Sequence, residues 1–177
     1  MIGTSSALIV CLLFFCADGV AQSTQPPSPL PPDKFFFTGD WNCVGTFRGD
    51  KIHKSAFNGS LILGGTWIEL NEEDLVPTTG YKARYLIGYD PAQKRVIEFN
   101  ANNFGPSLYS SELGWQGNVL TMTSALSSDD KAPYAINRFV YSIITADNFT
   151  VDWQVSRTSA PNWIEADYLS CNRLPKR

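Results

Sequence analysis

From residue 39 onward, apolar and polar positions alternate with a period of two over short runs. These runs are rich in Thr, Val, Ile, Tyr, Phe and Trp, and turn residues separate them every 8–12 positions or so. A period of two is that of strands with one buried face, and no stretch carries a convincing helical period. The pattern predicts ten strands. They cover Asp40–Arg48, His53–Leu63, Thr66–Asn71, Tyr81–Tyr89, Arg95–Asn102, Ser107–Trp115, Val119–Leu126, Ile136–Thr145, Phe149–Arg157 and Trp163–Arg173.

The connections alternate in kind. Gly64-Gly65, Asp90 to Lys94, Gln116-Gly117-Asn118 and Ala146-Asp147-Asn148 are compact turns. The intervening loops are mostly longer: Glu72–Gly80, Asn103–Pro106, Ser127–Ala135 and Thr158–Asn162. In an up-and-down meander, alternate connections lie at opposite ends, so one end is closed by tight turns and the other carries a rim of loops. If the first and last strands pair antiparallel with Cys43 facing Cys171, then Trp41 faces Arg173. Only a closed or nearly closed sheet brings those strands together. The expected fold is therefore an all-β, ten-stranded, antiparallel up-and-down barrel.

The residues ahead of the barrel change the picture of where the protein works. Ala7 to Phe15 is an apolar run too short to span a bilayer as a helix. Gly19-Val20-Ala21 before Gln22 reads as a signal-peptidase site, although Met1 to Ser6 holds no Lys or Arg. The organisation expected is a signal peptide at 1–21, a Pro-rich linker and N-terminal plug at 22–37, and a barrel domain at 38–177. Pro26, Pro27, Pro29, Pro31 and Pro32 make the linker extended. Lys34 to Thr38, with three consecutive phenylalanines, is expected to pack under the domain. Export to a periplasmic or secreted location leaves Cys43 and Cys171, which read as one disulfide or as two buried thiols. Formal net charge is −3 with no basic patch, which argues against nucleic acid. No membrane insertion is expected after cleavage, and no protein partner is legible.

Several of these residues resemble a known group. Gly39-Asp40-Trp41 opening the first strand, with Arg173 from the last strand across the Trp, resembles the signature of the calycins (lipocalins, fatty-acid-binding proteins and avidins). Gly88-Tyr89-Asp90-Pro91-Ala92, followed by Gly114-Trp115-Gln116-Gly117-Asn118-Val119-Leu120, resembles a family of exported bacterial lipocalin-like barrels of unknown function. That family is similar in shape to nitrobindin, a ten-stranded haem-binding barrel. The resemblance covers about Thr38 to Leu174. It implies a calycin-like barrel but no agreed activity. Nitrobindin-like haem ligation implies a His late in the chain, whereas the single His here, His53, is early.

Chemistry is sparse in the sequence. No catalytic residue, metal site or cofactor is expected. His53 reads as a solvated rim histidine, and the mature chain offers no free Cys or second His to complete a transition-metal site. Ser110-Ser111 lacks a nucleophile elbow. Alternation turns Glu98 away from Ile97 and Phe99, and Asp152 away from Val151 and Trp153, so both acids are expected to face solvent. Arg138 and Lys82 are candidates to reach in from the rim toward an anionic headgroup.

Aromatic residues make up 13% of the chain, enough to wall a cavity. The inner face is expected to carry Tyr109, Leu113, Trp115, Leu120, Met122, Phe139, Tyr141, Ile143, Val151, Trp153 and Val155, with Tyr85 and Phe99. Of these, Tyr85, Phe99, Tyr109, Met122, Tyr141 and Trp153 are the expected ligand-binding residues. The function expected is non-enzymatic binding of a small apolar or amphipathic molecule inside the barrel. Two alternatives stay open: an interaction module with a filled barrel, and a cavity enzyme such as an isomerase or a haem-dependent scavenger.

Overall fold

The computed structural model describes Ser28, Leu30, residues 37–48 and residues 50–175. The predicted signal segment and most of the linker lie outside the described residues. Eleven strands follow in order: β1 (Gly39–Phe47), β2 (Lys51–Ile62), β3 (Trp67–Val76), β4 (Lys82–Asp90), β5 (Arg95–Asn102), β6 (Gly105–Ser111), β7 (Trp115–Gln116), β8 (Val119–Ser124), β9 (Ile136–Thr145), β10 (Asn148–Ser156) and β11 (Ile164–Arg173). A 3₁₀ turn at Leu63–Gly65 joins β2 to β3. Apart from β6 and β7, neighbours in the chain pair antiparallel, β1 pairs with β11, and β6 pairs with β8 to close the ring.

β6 and β7 lie successively along β8, through Tyr109–Ser124 and Trp115–Leu120. They are two halves of one stave, so the barrel has ten staves. It is the antiparallel, up-and-down, calycin-like barrel expected. The break has a local cause. Gly114 takes φ 62°, a left-handed turn in which Gly is favoured, and its N–H donates to Ser111 Oγ at 3.2 Å. The turn throws Leu113 outward to 68% exposure, so Leu113 is not the inner residue expected. No described helix is long and apolar enough to cross a membrane.

The first and last strands meet in the predicted register: Trp41 pairs with Arg173 and Cys43 with Cys171. Cys43 and Cys171 form a disulfide, with Cα atoms 4.0 Å apart and a sequence separation of 128. The Arg173 guanidinium lies 4.0 Å from the Trp41 ring centroid. Gly39 stands here at φ 101°, and a Cβ on it would come 3.6 Å from Arg173 Nη1.

This end of the barrel is filled. Phe37 is buried beneath it, its carbonyl accepting from Trp41 Nε1 at 2.8 Å. Phe149 meets both Phe37 and Trp41 edge-on, at centroid distances of 4.8 and 4.7 Å. Edge-to-face pairs add about 0.5–1.5 kcal/mol beyond the area they bury. Ile68, Leu70, Ile87, Val96, Leu120 and Met122 complete the apolar floor.

Two strands depart from expectation in ways that shape the interior. β3 does not end at Asn71. It runs on beside a twelve-residue β2, with a bulge at Lys54/Ser55, and carries Glu72 and Asp74 along its inner face. β5 inverts the expected pattern: Val96, Glu98 and Asn100 are buried, while Phe99 is 46% exposed. The reason is visible outside. Gly88 has no side chain, so Trp67 lies across it; a Cβ there would come 2.2 Å from the indole ring. Phe99 stacks on that Trp67, with centroids 6.4 Å apart and an interplanar angle of 16°.

Candidate functional site: an aromatic cavity with an acidic wall

Above the filled floor the barrel encloses a cavity of about 510 Å³. That lies within the range typical of small-molecule sites, about 300–1,000 Å³. Arg48, Pro77, Thr79, Phe104 and Tyr134 line its mouth. All five belong to, or flank, connections at the loop-bearing end.

One side is aromatic. Tyr109 and Phe139 meet edge-on at 5.1 Å, and Tyr85 meets Phe139 at 5.8 Å. Trp153 and Tyr141 complete this surface. Two of these rings are fixed by one amide: Tyr109 OH and Trp153 Nε1 both donate to Asn137 Oδ1, at 2.8 and 3.0 Å. Asn137 Nδ2 in turn donates to Ser124 Oγ at 3.2 Å.

Of the six expected ligand-binding residues, Tyr85, Tyr109, Tyr141 and Trp153 line the cavity. Phe99 is a correction, since it faces outward against Trp67. Met122 is another: it is fully buried but sits in the floor, away from the cavity lining. Arg138 and Lys82 do not reach in. Arg138 lies over the Trp163 ring and donates to Gln154, and Lys82 pairs with Glu73 at the surface.

The other side is acidic, and it centres on His53. His53 is not a solvated rim histidine; it is 4% exposed. Its Nδ1 lies 2.7 Å from Asp167 Oδ1 and its Nε2 2.8 Å from Asp74 Oδ1. Burial favours the neutral ring, but the hydrogen bonds and charges of Asp167 and Asp74 outweigh it and push the pKa up to about 10. At neutral pH this is an imidazolium clamped between two carboxylates. Thr79 Oγ1 donates to the second Asp74 oxygen at 2.8 Å, tying the mouth loop to the cluster.

Glu72 stands next to it. Ser55 Oγ donates to Oε1 at 2.9 Å and Tyr85 OH to Oε2 at 2.5 Å. Burial, reinforced by the charges of Asp74 and Asp167, raises its pKa to about 7 in spite of those two donors. Below the cavity, Tyr141 OH donates to Glu98 Oε2 at 2.9 Å. Glu98 Oε1 has no hydrogen-bond partner among the described residues, and burial pushes this carboxyl up to about 8. The expectation that Glu98 faces solvent is overturned: it is fully buried.

The acidic wall is not legible in the turn pattern of the sequence, which puts Glu72 and Asp74 in the loop that ends at Gly80. The alternation does carry a signal. Ile68, Leu70, Glu72 and Asp74 continue one period of two, and the first two are apolar. Asp167 could not be found that way, since only closure of the barrel sets it beside His53.

His53, Glu72 and Asp74 each offer a ligand atom within 4.8 Å of the others. Both imidazole nitrogens are already hydrogen-bonded to carboxylates, and coordination would require loss of a proton held up to about pH 10. For the same reason His53 does not fit the role of an axial haem ligand: both of its nitrogens are held by carboxylates. No protein-family model matches the chain, and no curated protein shows significant similarity to it.

Proposed function

We propose that this is an exported, non-enzymatic binding protein that holds a small amphipathic molecule inside its barrel. One observation carries the reading: a cavity of about 510 Å³, walled by rigidly held aromatic rings and open at the loop-bearing end. Burying about 200 Å² of apolar ligand surface would contribute roughly 5 kcal/mol. Association entropy offsets much of that, so micromolar affinity is expected. Export is supported by the N-terminal apolar segment and by the disulfide. The resemblance to exported bacterial lipocalin-like barrels rests on the Gly88–Ala92 and Gly114–Leu120 segments.

An interaction module with a filled barrel is the weaker reading, because the cavity of about 510 Å³ favours a ligand inside. A proton-transferring enzyme keeps one specific observation in its favour: Glu72, its pKa raised to about 7, sits on the cavity wall and accepts from the Tyr85 hydroxyl.

Trp153 supplies the test. A panel of small aromatic and isoprenoid compounds is titrated against the intrinsic fluorescence. At least one should quench wild type with micromolar affinity. Val151 lines the cavity, so Val151→Trp should fill it and weaken that binding at least about tenfold. Phe99→Ala, on the outer face, should bind as wild type does. If no compound binds, or Val151→Trp binds as well as wild type, the reading fails.

A further inference from the structure

We infer that the ligand of this cavity is a small organic ammonium ion, its charge seated against Glu72 and Asp74 and its apolar body among the rings of Tyr109, Phe139 and Trp153. The inference rests on the binding reading above and names the class of ligand.

The charges facing the cavity give the sign. Glu72 and Asp74 come from β3 and Asp167 from β11. Against these three acids stand two cations. His53, from β2, is shared by Asp74 and Asp167, so that trio keeps a net negative charge. Arg48 is an exposed residue at the mouth, lying over the Phe47 ring at 5.0 Å. Burial above all, and then the charge of Glu72 among lesser causes, raises the pKa of Tyr81, Tyr85 and Tyr141. Among the described residues, a carboxylate headgroup would meet no unshared cation below the mouth, and Arg48 alone at it. Arg138 and Lys82, the candidates to meet an anionic headgroup, are absent from the lining.

The acceptors give the geometry. Each Glu72 oxygen accepts one bond, from Ser55 or Tyr85, and a carboxylate offers about four lone-pair sites. Lone pairs remain for an N–H donor arriving from the cavity. Tyrosine and phenylalanine rings surround the same space, and an ammonium over a ring face gains a cation–π contribution once water is excluded. A separate group supports the acid-rich interior. Glu98 Oε1 is buried and has no partner among the described residues, one hydrogen bond beyond Tyr141, where an apolar residue would serve folding better.

Binding should therefore depend on pH. The ionised form of Glu72 is the better seat, and it is populated above about pH 7. The groups around it are Asp74 on its own strand, His53 and Ser55 on β2, Tyr85 on β4, Asp167 on β11 and Tyr141 on β9, with Tyr81 just before β4. Of these, His53 stays protonated up to about pH 10. The affinity of an ammonium ion should rise between pH 5.5 and 8.

The test uses N-phenyl-1-naphthylamine, uncharged over this pH range, as a fluorescent reporter of cavity occupancy. Three competitors of similar size and shape are compared: 2-phenylethylammonium, 2-phenylethanol and 3-phenylpropanoate. At pH 8 the ammonium should displace the reporter at about tenfold lower concentration than the alcohol, with the carboxylate weakest. The ammonium-to-alcohol ratio should fall several-fold at pH 5.5 in wild type, and at pH 8 in Glu72→Gln. Equal displacement by ammonium and alcohol, or preference for the carboxylate, overturns the inference while reporter binding keeps the cavity reading. An unchanged ratio in a folded Glu72→Gln also overturns it. If Glu72→Gln does not fold, the wild-type comparison between pH 5.5 and 8 decides. Failure of the reporter and all three competitors to bind overturns both readings.

Discussion

His53 and Asp167 are 114 residues apart in the chain, and their side chains meet at 2.7 Å inside the barrel. With Asp74 on the other nitrogen, the contact joins β2, β3 and β11 around one buried cation. Removing the cation strands two carboxylates facing each other with little water. His53→Ala should therefore cost about 3 kcal/mol at pH 7. The pH dependence has a defined sign. The folded pKa, about 10, lies above the ordinary histidine value, so the native state holds this proton more tightly. The stabilisation is complete below about pH 6.5 and is lost as pH rises toward 10. Denaturant titrations at pH 6 and pH 10 should show wild type and His53→Ala converging at the higher pH. A constant difference across that range would remove the charged cluster from the account.

Arg173 does more than cover Trp41. Its Nε donates to Asp147 Oδ1 at 2.9 Å, Nη2 to Ala146 O at 3.1 Å, and Nη1 to Thr38 O. The planar fork thus holds the β9–β10 turn, the segment before β1 and the indole at once. Lysine can satisfy one of these partners and lacks the flat face. Arg173→Ala should cost about 2 kcal/mol, and Arg173→Lys more than half of that. Melting curves would show it. Equal melting temperatures for both variants and wild type would mean that the register of β1 on β11 holds without the contact.

The disulfide acts on the same pair of strands through the unfolded chain. It closes a loop spanning nearly the whole barrel, so the chain-entropy argument predicts about 5 kcal/mol, before residual structure in the denatured state reduces it. The double variant Cys43→Ala/Cys171→Ala should lose most of that against wild type in denaturant titrations, and little against wild type kept fully reduced. Peptide mapping without reduction should recover one cross-linked pair. Two alkylatable thiols in the purified native protein would sink the idea.

The legible parts of this fold are those that a local pattern determines. Turn residues and period-two alternation placed nine of the ten staves nearly whole. Antiparallel pairing then set Trp41 on Arg173 once Cys43 was set on Cys171. The pattern failed where polarity and facing part company. Glu98 and Phe99 are reversed because Gly88 makes room outside for Trp67, a tertiary accommodation that no single strand reveals. Glu72 and Asp74 are hidden because acids near a proline, here Pro77, read as a loop. Yet β2 is long enough to carry β3 past them. His53 looked solvated because its two partners lie 21 and 114 residues away.

Glu98 gives the sharpest measure of what the buried acids cost. Its carboxyl is fully buried, takes one hydrogen bond from Tyr141 and leaves Oε1 without a partner among the described residues. Burial raises its pKa from about 4.5 to about 8, so the native state holds this proton more tightly than the unfolded chain does. Stability from that proton is complete below about pH 4.5 and disappears as pH rises through about 8. Glutamine has the same shape, cannot ionise, and still accepts from Tyr141. Glu98→Gln should therefore match wild type near pH 4.5 and exceed it at pH 9, by a difference on the order of 4 kcal/mol. Glu72 titrates in both proteins, so comparing the two at each pH isolates Glu98. The melting temperature of each, followed from pH 4.5 to 9, provides the check. Parallel curves would mean that Glu98 is ionised in the folded barrel throughout, with a partner reaching it there.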